Sequence, residues 1–247
     1  MDRTRRFELD GTEKTCFIFG AGSFYGLFAR PKPGDLLIAA DGGMRYLEAL
    51  SLVPDLLIGD LDSLKADGGF REDETPASIQ IRRLSVTKDL SDSASAIKEG
   101  ISRGYRRFFL YGCTGGRLDH TIATLQDLAA LSEQGMEGYL FSEREVLTAV
   151  TDCKIEFPER LRGTISVFSH TDESLGVSES GLKYTVAEHR LTNRFPLGLS
   201  NAFTGLPASV AVKKGTLLIS VSLQQYGTEK SGADKLKEIF THPSLNA

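Results

Sequence analysis

Leu36-Leu37-Ile38-Ala39-Ala40-Asp41-Gly42-Gly43 is an apolar run that ends on an acid and two glycines. The pattern recurs where Leu56-Leu57-Ile58 runs into Gly59-Asp60-Leu61-Asp62-Ser63. Short apolar runs bounded by turn residues read as strands buried on both faces. Similar runs stand at 15–19, 79–82, 107–111 and 139–141. Helical spacing fills two of the gaps. Ala94, Ile97 and Ile101 share a face within 93–102, and Ile122, Leu125, Leu128 and Ala129 share one within 119–132. Strand and helix in alternation predict an α/β fold, with an N-terminal, mostly parallel sheet carrying helices on both faces. Such sheets bind ligands at the carboxyl ends of their strands.

The texture changes after about residue 150. Ile165, Val167 and Ser169 alternate with their neighbours, as do Ala208, Val210 and Val212, then Ile219, Val221 and Leu223. Glycines at 163, 176, 181, 198, 205 and 215 punctuate these short runs. This predicts a C-terminal antiparallel β-sandwich. Two domains are expected, an α/β domain over 1–150 and a sandwich over 151–247. Leu236, Ile239 and Phe240 predict a last helix at 233–240.

Acidic residues gather where the first half's strands end. Asp41 follows one run; Asp60 and Asp62 follow another; Asp89 and Asp92 precede one helical stretch, and Asp119 opens the next. Residues i and i+2 point to one side of an extended chain, and i and i+3 are neighbours on a helical turn. Carboxylates about 4 Å apart repel by roughly 4 kcal/mol at an effective dielectric of 20, a cost that a cation removes. Oxygen donors without His or Cys favour Mg²⁺, which keeps waters and takes one or two carboxylates plus substrate phosphates. Asp89 and Asp119 also suit helix capping, and Asp41 before two glycines suits a turn.

Glycine loops accompany these acids. Gly20-Ala21-Gly22-Ser23 follows the first run, where backbone N–H groups can meet phosphate. With Gly26, and with Asp41 standing 19 residues after Gly22, it also loosely fits a dinucleotide fingerprint. A nicotinamide-dependent oxidoreductase is therefore a rival reading. Gly112-Cys113-Thr114-Gly115-Gly116-Arg117 leads into the helix at Asp119 and suits nucleotide contact. Lys88 beside Asp89 suits phosphate or the neighbouring acid, and His120 an active-site donor or a solvent-facing position.

Composition excludes other classes. The 247 residues are 40% hydrophobic and 25% charged, enough for a core, and the net charge of −4 is unsuited to nucleic acid. Cys16, Cys113 and Cys153 form no CxxC pair and read as free thiols of a reducing compartment. No signal peptide or membrane span is visible, so a cytoplasmic location is expected. The basic residues within 3–14 are mixed with acids and read as a solvated lead-in.

Together these motifs resemble the thiamine pyrophosphokinase family. The matching segments are 41–43, 54–63, 88–92 and 115–120, followed by Ser180-Gly181-Leu182-Lys183-Tyr184 and Leu199-Ser200-Asn201. Ser91 stands where Thr is usual, and Ala202 where an acid often follows. The resemblance implies an enzyme that transfers diphosphate from ATP to thiamine, giving thiamine diphosphate and AMP. It implies a homodimer, with thiamine held between one subunit's catalytic domain and the other's sandwich. It implies that Asp60, Asp62 and Asp92 hold Mg²⁺ and act with Asp89 in catalysis. Asp41, Gly42, Lys88, Gly115, Arg117 and Asp119 would line the nucleotide, and Ser200 and Asn201 would meet thiamine. The chain has no Trp, so Tyr184 or Phe203 would supply any stacking. A non-catalytic nucleotide or thiamine sensor is a further reading of the same motifs.

Overall fold

The computed structural model describes residues 3–9, 13–60, 76–84, 90–159 and 161–223. Asp62, Lys88, Asp89 and the helix expected at 233–240 lie outside the described residues. In chain order the first strands are β1 (Thr4–Arg6), β2 (Thr15–Phe19), β3 (Leu36–Ala40), β4 (Leu56–Gly59), β5 (Gln80–Arg83), β6 (Arg107–Tyr111) and β7 (Glu137–Phe141). Then come β8 (Glu145–Thr151), β9 (Lys154–Phe157), β10 (Thr164–Ser169) and β11 (Glu173–Ser180). The last are β12 (Val186–Thr192), β13 (Gly198–Ala202), β14 (Ala208–Ala211) and β15 (Thr216–Ser222). The helices are α1 (Met44–Ala49), α2 (Asp92–Ser102) and α3 (Leu118–Glu133).

Two compact units emerge, one drawn from within 12–124 and 140–143, the other from within 1–11, 125–139 and 144–230. In the first, strands pair in the order β6-β2-β3-β4-β5, and every pairing is parallel. Each of β2, β3, β4 and β6 is buried along its whole length, as continuous apolar runs require. Helix α2 packs over β2, β3 and β4. A Cβ on Gly100 would stand 2.7 Å from Phe108 Cε1 and 2.8 Å from Cys16 Sγ, so only glycine lets this helix lie so close. Tyr111 stacks on Phe141 at 4.4 Å between ring centroids, and Phe28 stacks on Phe141 at 5.3 Å. The Tyr111 hydroxyl oxygen accepts the Ala29 N–H at 3.3 Å, which ties the segment after β2 to the sheet.

The second unit is antiparallel in two sheets. Strands β13, β10, β15 and β8 pair in that order. The other sheet runs β1-β9-β14-β11-β12, antiparallel throughout except for the parallel pair β1–β9. Alternate burial of Ile165, Val167 and Ser169 in β10 follows the period-two pattern of the sequence.

The N-terminal basic residues are not all solvated, which corrects the reading of a lead-in. Thr4–Arg6 is a strand, and Arg5 is buried. Its Nε donates to Glu137 Oε1 at 3.0 Å and its Nη1 to the Ala149 carbonyl at 2.7 Å. Three residues are too few to show a period, and a buried charge announces itself only through distant partners. Arg5→Ala is expected to lower unfolding stability by about 2 kcal/mol, because a charged donor leaves two acceptors behind. Urea unfolding checks this, and an unchanged midpoint would reduce the anchor to a surface contact.

All three cysteines are free and buried, and burial pushes the Cys16 thiol pKa up. Among the described residues no helix is long and apolar enough to cross a membrane.

Candidate active site

Four strand exits of the parallel sheet are drawn together by glycines. Asp41–Gly43 forms one turn of 3-10 helix directly after β3. A Cβ on Gly43 would overlap the Phe19 carbonyl oxygen, and one on Gly42 would stand 3.2 Å from the Ala21 Cβ. The turn therefore sits on the exit of β2. A Cβ on Gly59 would stand 3.2 Å from the Asp41 Cα, so the exit of β4, which carries Asp60, abuts Asp41.

The exits of β2 and β6 are joined by backbone bonds. Gly20 N–H donates to the Tyr111 carbonyl at 2.8 Å, Gly22 N–H to Gly112 at 2.7 Å, and Ser23 N–H to Thr114 at 2.7 Å. This corrects the phosphate-cradle reading of Gly20–Ser23. Those three amides face the neighbouring loop, and the glycines serve close approach, since a Cβ on Gly22 would stand 2.5 Å from the Thr114 carbonyl oxygen. The dinucleotide reading loses its cradle for the same reason. Sequence reasoning also missed what holds this loop. Arg45 Nη2 donates to the Ala21 carbonyl at 2.8 Å, and the Tyr46 hydroxyl donates to the Gly22 carbonyl.

Asp92 stands at a helix start. It is the first residue of α2, and the N-cap is Ser91, whose Oγ accepts the Ala94 N–H at 3.1 Å. Ser93 Oγ lies 3.6 Å from Cys113 Sγ, which places this helix start beside the exit of β6. Capping is therefore the task of Ser91, and Asp92 is not needed for it.

Asp41 is the distinctive member. Its φ of 49° lies in the left-handed region, which Asp tolerates better than most residues. Its Oδ1 is buried with no hydrogen-bond partner. Thr114 Oγ1 is likewise buried and unpartnered. Orphaned buried oxygens cost about 1–3 kcal/mol each, so they point to a ligand. Among the described residues no three His, Cys, Asp or Glu side chains form a ready metal cage. Mg²⁺ needs none, because it binds through one or two carboxylates plus phosphates and waters. Asp41 and Asp60, at adjoining strand exits, are oxygen donors and fit that chemistry.

Arg117 and Asp119 pair with each other on the surface, Nη2 to Oδ2 at 2.5 Å, with Asp119 Oδ1 also accepting the His120 N–H at 3.0 Å. The guanidinium holds the Asp119 carboxyl below its usual range. His120 is exposed. Gly115, with φ of 75°, packs against Ser23 and Tyr25.

The second unit places its three named residues differently from one another. Ser200 is exposed with φ of 62°, and its N–H donates to Ser166 Oγ at 3.0 Å. Tyr184 is exposed, whereas Phe203 is buried against Phe157 at 5.3 Å between centroids. Of the two aromatics, Tyr184 is the one with a ring open to a substrate. Asn201 is buried, and its amide bonds to Tyr184, Ala202 and Glu179. Glu179 was not foreseen. Its signal was a carboxylate at an inward position of β11, two residues after buried Val177.

Residues 32–140 match the family described as thiamin pyrophosphokinase, catalytic domain. No curated protein matches the chain in sequence. Among solved structures it is similar to thiamin pyrophosphokinase from Geobacillus thermodenitrificans, with TM-score 0.75, 19% identity, and 85% of this chain and 98% of that chain covered. The Bacillus subtilis thiamine pyrophosphokinase gives TM-score 0.73 at 20% identity, covering 85% of this chain and 99% of that one. The yeast thiamin pyrophosphokinase gives 0.68 at 16% identity, covering 88% and 90%. Identities this low establish the mixed α/β fold, and the catalytic-domain match covers Asp41, Asp60, Asp62, Asp92 and Asp119 alike. Residues 32–140 therefore carry a thiamin pyrophosphokinase catalytic domain, in a chain whose fold is similar to that of the thiamin pyrophosphokinases above.

Proposed function

We propose that diphosphate transfer from ATP to the thiamine hydroxyl takes place at the aspartate edge of the parallel sheet, with AMP as the second product. The observation that carries this reading is the buried, unpartnered Asp41 Oδ1 beside the β4 exit that leads to Asp60. Asp60, Asp62 and Asp92 would hold Mg²⁺. When bound, the ion offsets the charge that grows on the phosphate oxygens. Asp41, Gly42, Lys88, Gly115, Arg117 and Asp119 would position the nucleotide, and Asp89 would complete the transfer site. The hydroxyl oxygen of thiamine attacks the β-phosphorus, the bond to the bridging oxygen of AMP breaks, and an aspartate accepts the hydroxyl proton. Asp60, Asp62 and Asp92 are the candidates for that base. The protein's contribution is position and electrostatics.

Residues 1–150 would form the catalytic domain and 151–247 a thiamine-binding sandwich, where Ser200, Asn201 and Tyr184 form the substrate edge. The chain would act as a homodimer, one subunit's catalytic domain working with its partner's sandwich. Three free cysteines support a cytoplasmic setting, since they need no oxidising compartment.

Pure protein given Mg-ATP and thiamine is expected to form AMP and thiamine diphosphate in equal amounts. Ion-exchange chromatography of the nucleotides checks it. ADP without AMP would exclude diphosphate transfer, and ligand binding without turnover would leave a sensor.

A further inference from the structure

We propose that Glu179 is a positioning residue for the thiamine edge, holding the Asn201 amide in the one orientation that presents Ser200 and Tyr184 to the substrate. The proposal rests on the thiamine reading above and goes beyond it in naming what orients that edge. Glu179 lies on β11 and is 6% exposed, as is Asn201 on β13. Asn201 Nδ2 donates to Glu179 Oε2 at 2.8 Å and to the Tyr184 carbonyl at 2.7 Å. Asn201 Oδ1 accepts the N–H groups of Tyr184 at 3.0 Å and of Ala202 at 2.9 Å. Two donors and two lone pairs are the whole capacity of the amide. Asn201 therefore has no hydrogen bond left for a substrate. Its side chain instead clamps the backbone of Tyr184, on both N–H and C=O, to β13 at the residue after Ser200.

An Asn amide can be turned over with little change of shape, and only its partners decide which way it points. A carboxylate accepts and does not donate, so it tolerates Nδ2 and repels Oδ1. Turned over, the amide would set Oδ1 against Glu179 and offer N–H to the N–H groups of Tyr184 and Ala202. Glu179 thus locks the clamp. Burial pushes its carboxyl pKa up, and the Asn201 amide draws it back down. An ionisable group at such a position needs a hydrogen-bonding reason. The exposed groups that flank the clamp are Ser200, in its left-handed backbone conformation, and the 60% exposed Tyr184.

The test compares Glu179→Leu with Glu179→Gln, since Gln keeps an acceptor oxygen and Leu removes it. In steady-state kinetics of the full chain, E179L is expected to raise the KM for thiamine about tenfold, as loss of an orienting bond to a charged group implies. Its kcat and its KM for ATP should stay within about twofold, and E179Q should match the parent in all three. Amide hydrogen exchange at Tyr184 and Ala202 should accelerate in E179L and stay slow in E179Q. A folded E179L with unchanged thiamine KM would overturn the proposal. So would a fall in kcat alone, or an E179Q as impaired as E179L. Should E179L not fold, E179A carries the same expectations and the same refutations. Ser200→Ala and Tyr184→Ala are measured in parallel. If neither changes the thiamine KM, the thiamine reading of this edge falls. The exchange at Tyr184 and Ala202 then judges the clamp by itself, with acceleration in E179L supporting it and no acceleration overturning it.

Discussion

The Asp92→Asn protein is expected to lose about three orders of magnitude in kcat, the upper range for deleting one preorganised electrostatic contact in a transition state. Asp92 starts α2 beside the β6 exit, and in the proposed reaction its charge belongs to the metal set that faces the transferred diphosphate. Asn keeps the shape and removes the charge. Loss of fold would not explain such a result, because the helix cap is Ser91 Oγ on the Ala94 N–H. At the helix N-terminus the substitution removes a favourable charge, about 0.3–1 kcal/mol. Thermal unfolding alongside AMP release separates the two effects. Activity within about tenfold of the parent would take Asp92 out of the proposed metal set.

Gly43→Ala tests the scaffold under the same site. Helix propensity alone favours alanine over glycine by about 1 kcal/mol. Here the new methyl would overlap the Phe19 carbonyl oxygen and stand 3.1 Å from the Gly20 nitrogen. Both are backbone atoms at a strand exit, so neither can swing aside as a flexible side chain would. Overpacking of this kind costs about 1–3 kcal/mol and more where nothing gives way. We expect a net loss of about 3 kcal/mol, a fall in Tm of about 6–12 °C for a chain of this size. Nucleotide affinity should weaken too, because the turn that carries Asp41 is the part displaced. A calorimetric Tm equal to the parent's would show that the β2 exit relaxes freely.

Much of this site was legible because its elements are local. The runs at 15–19, 36–40 and 107–111 became β2, β3 and β6 with those bounds, since parallel strands buried on both faces read as unbroken apolar segments. Asp41 after β3 and Asp60 after β4 fell at strand exits for the same reason. What stayed hidden depends on partners far along the chain. Whether the Gly20, Gly22 and Ser23 amides face a ligand or a loop is decided by carbonyls at 111, 112 and 114. Arg5 is buried because Glu137 and Ala149 receive it. Asn201 sits in a motif that suggests substrate contact, yet its amide is consumed by Tyr184, Ala202 and Glu179. Ser91 was the nearer miss. Its hydroxyl was visible in the motif, but Asp89 was the acid read as suited to the cap.

The parallel pairing of β1 with β9 sets an order of events during synthesis. Thr4 pairs with Lys154, Arg5 with Ile155 and Arg6 with Glu156. The first strand made is thus an edge that waits for a partner about 150 residues behind it, roughly 8–30 s at ribosomal speeds of 5–20 residues per second. Until then the Arg5 guanidinium stays in water, and its burial comes late. A bulky fusion placed ahead of Thr4 would burden that docking step, whereas the sheet that carries the aspartates contains no strand from the N-terminal edge.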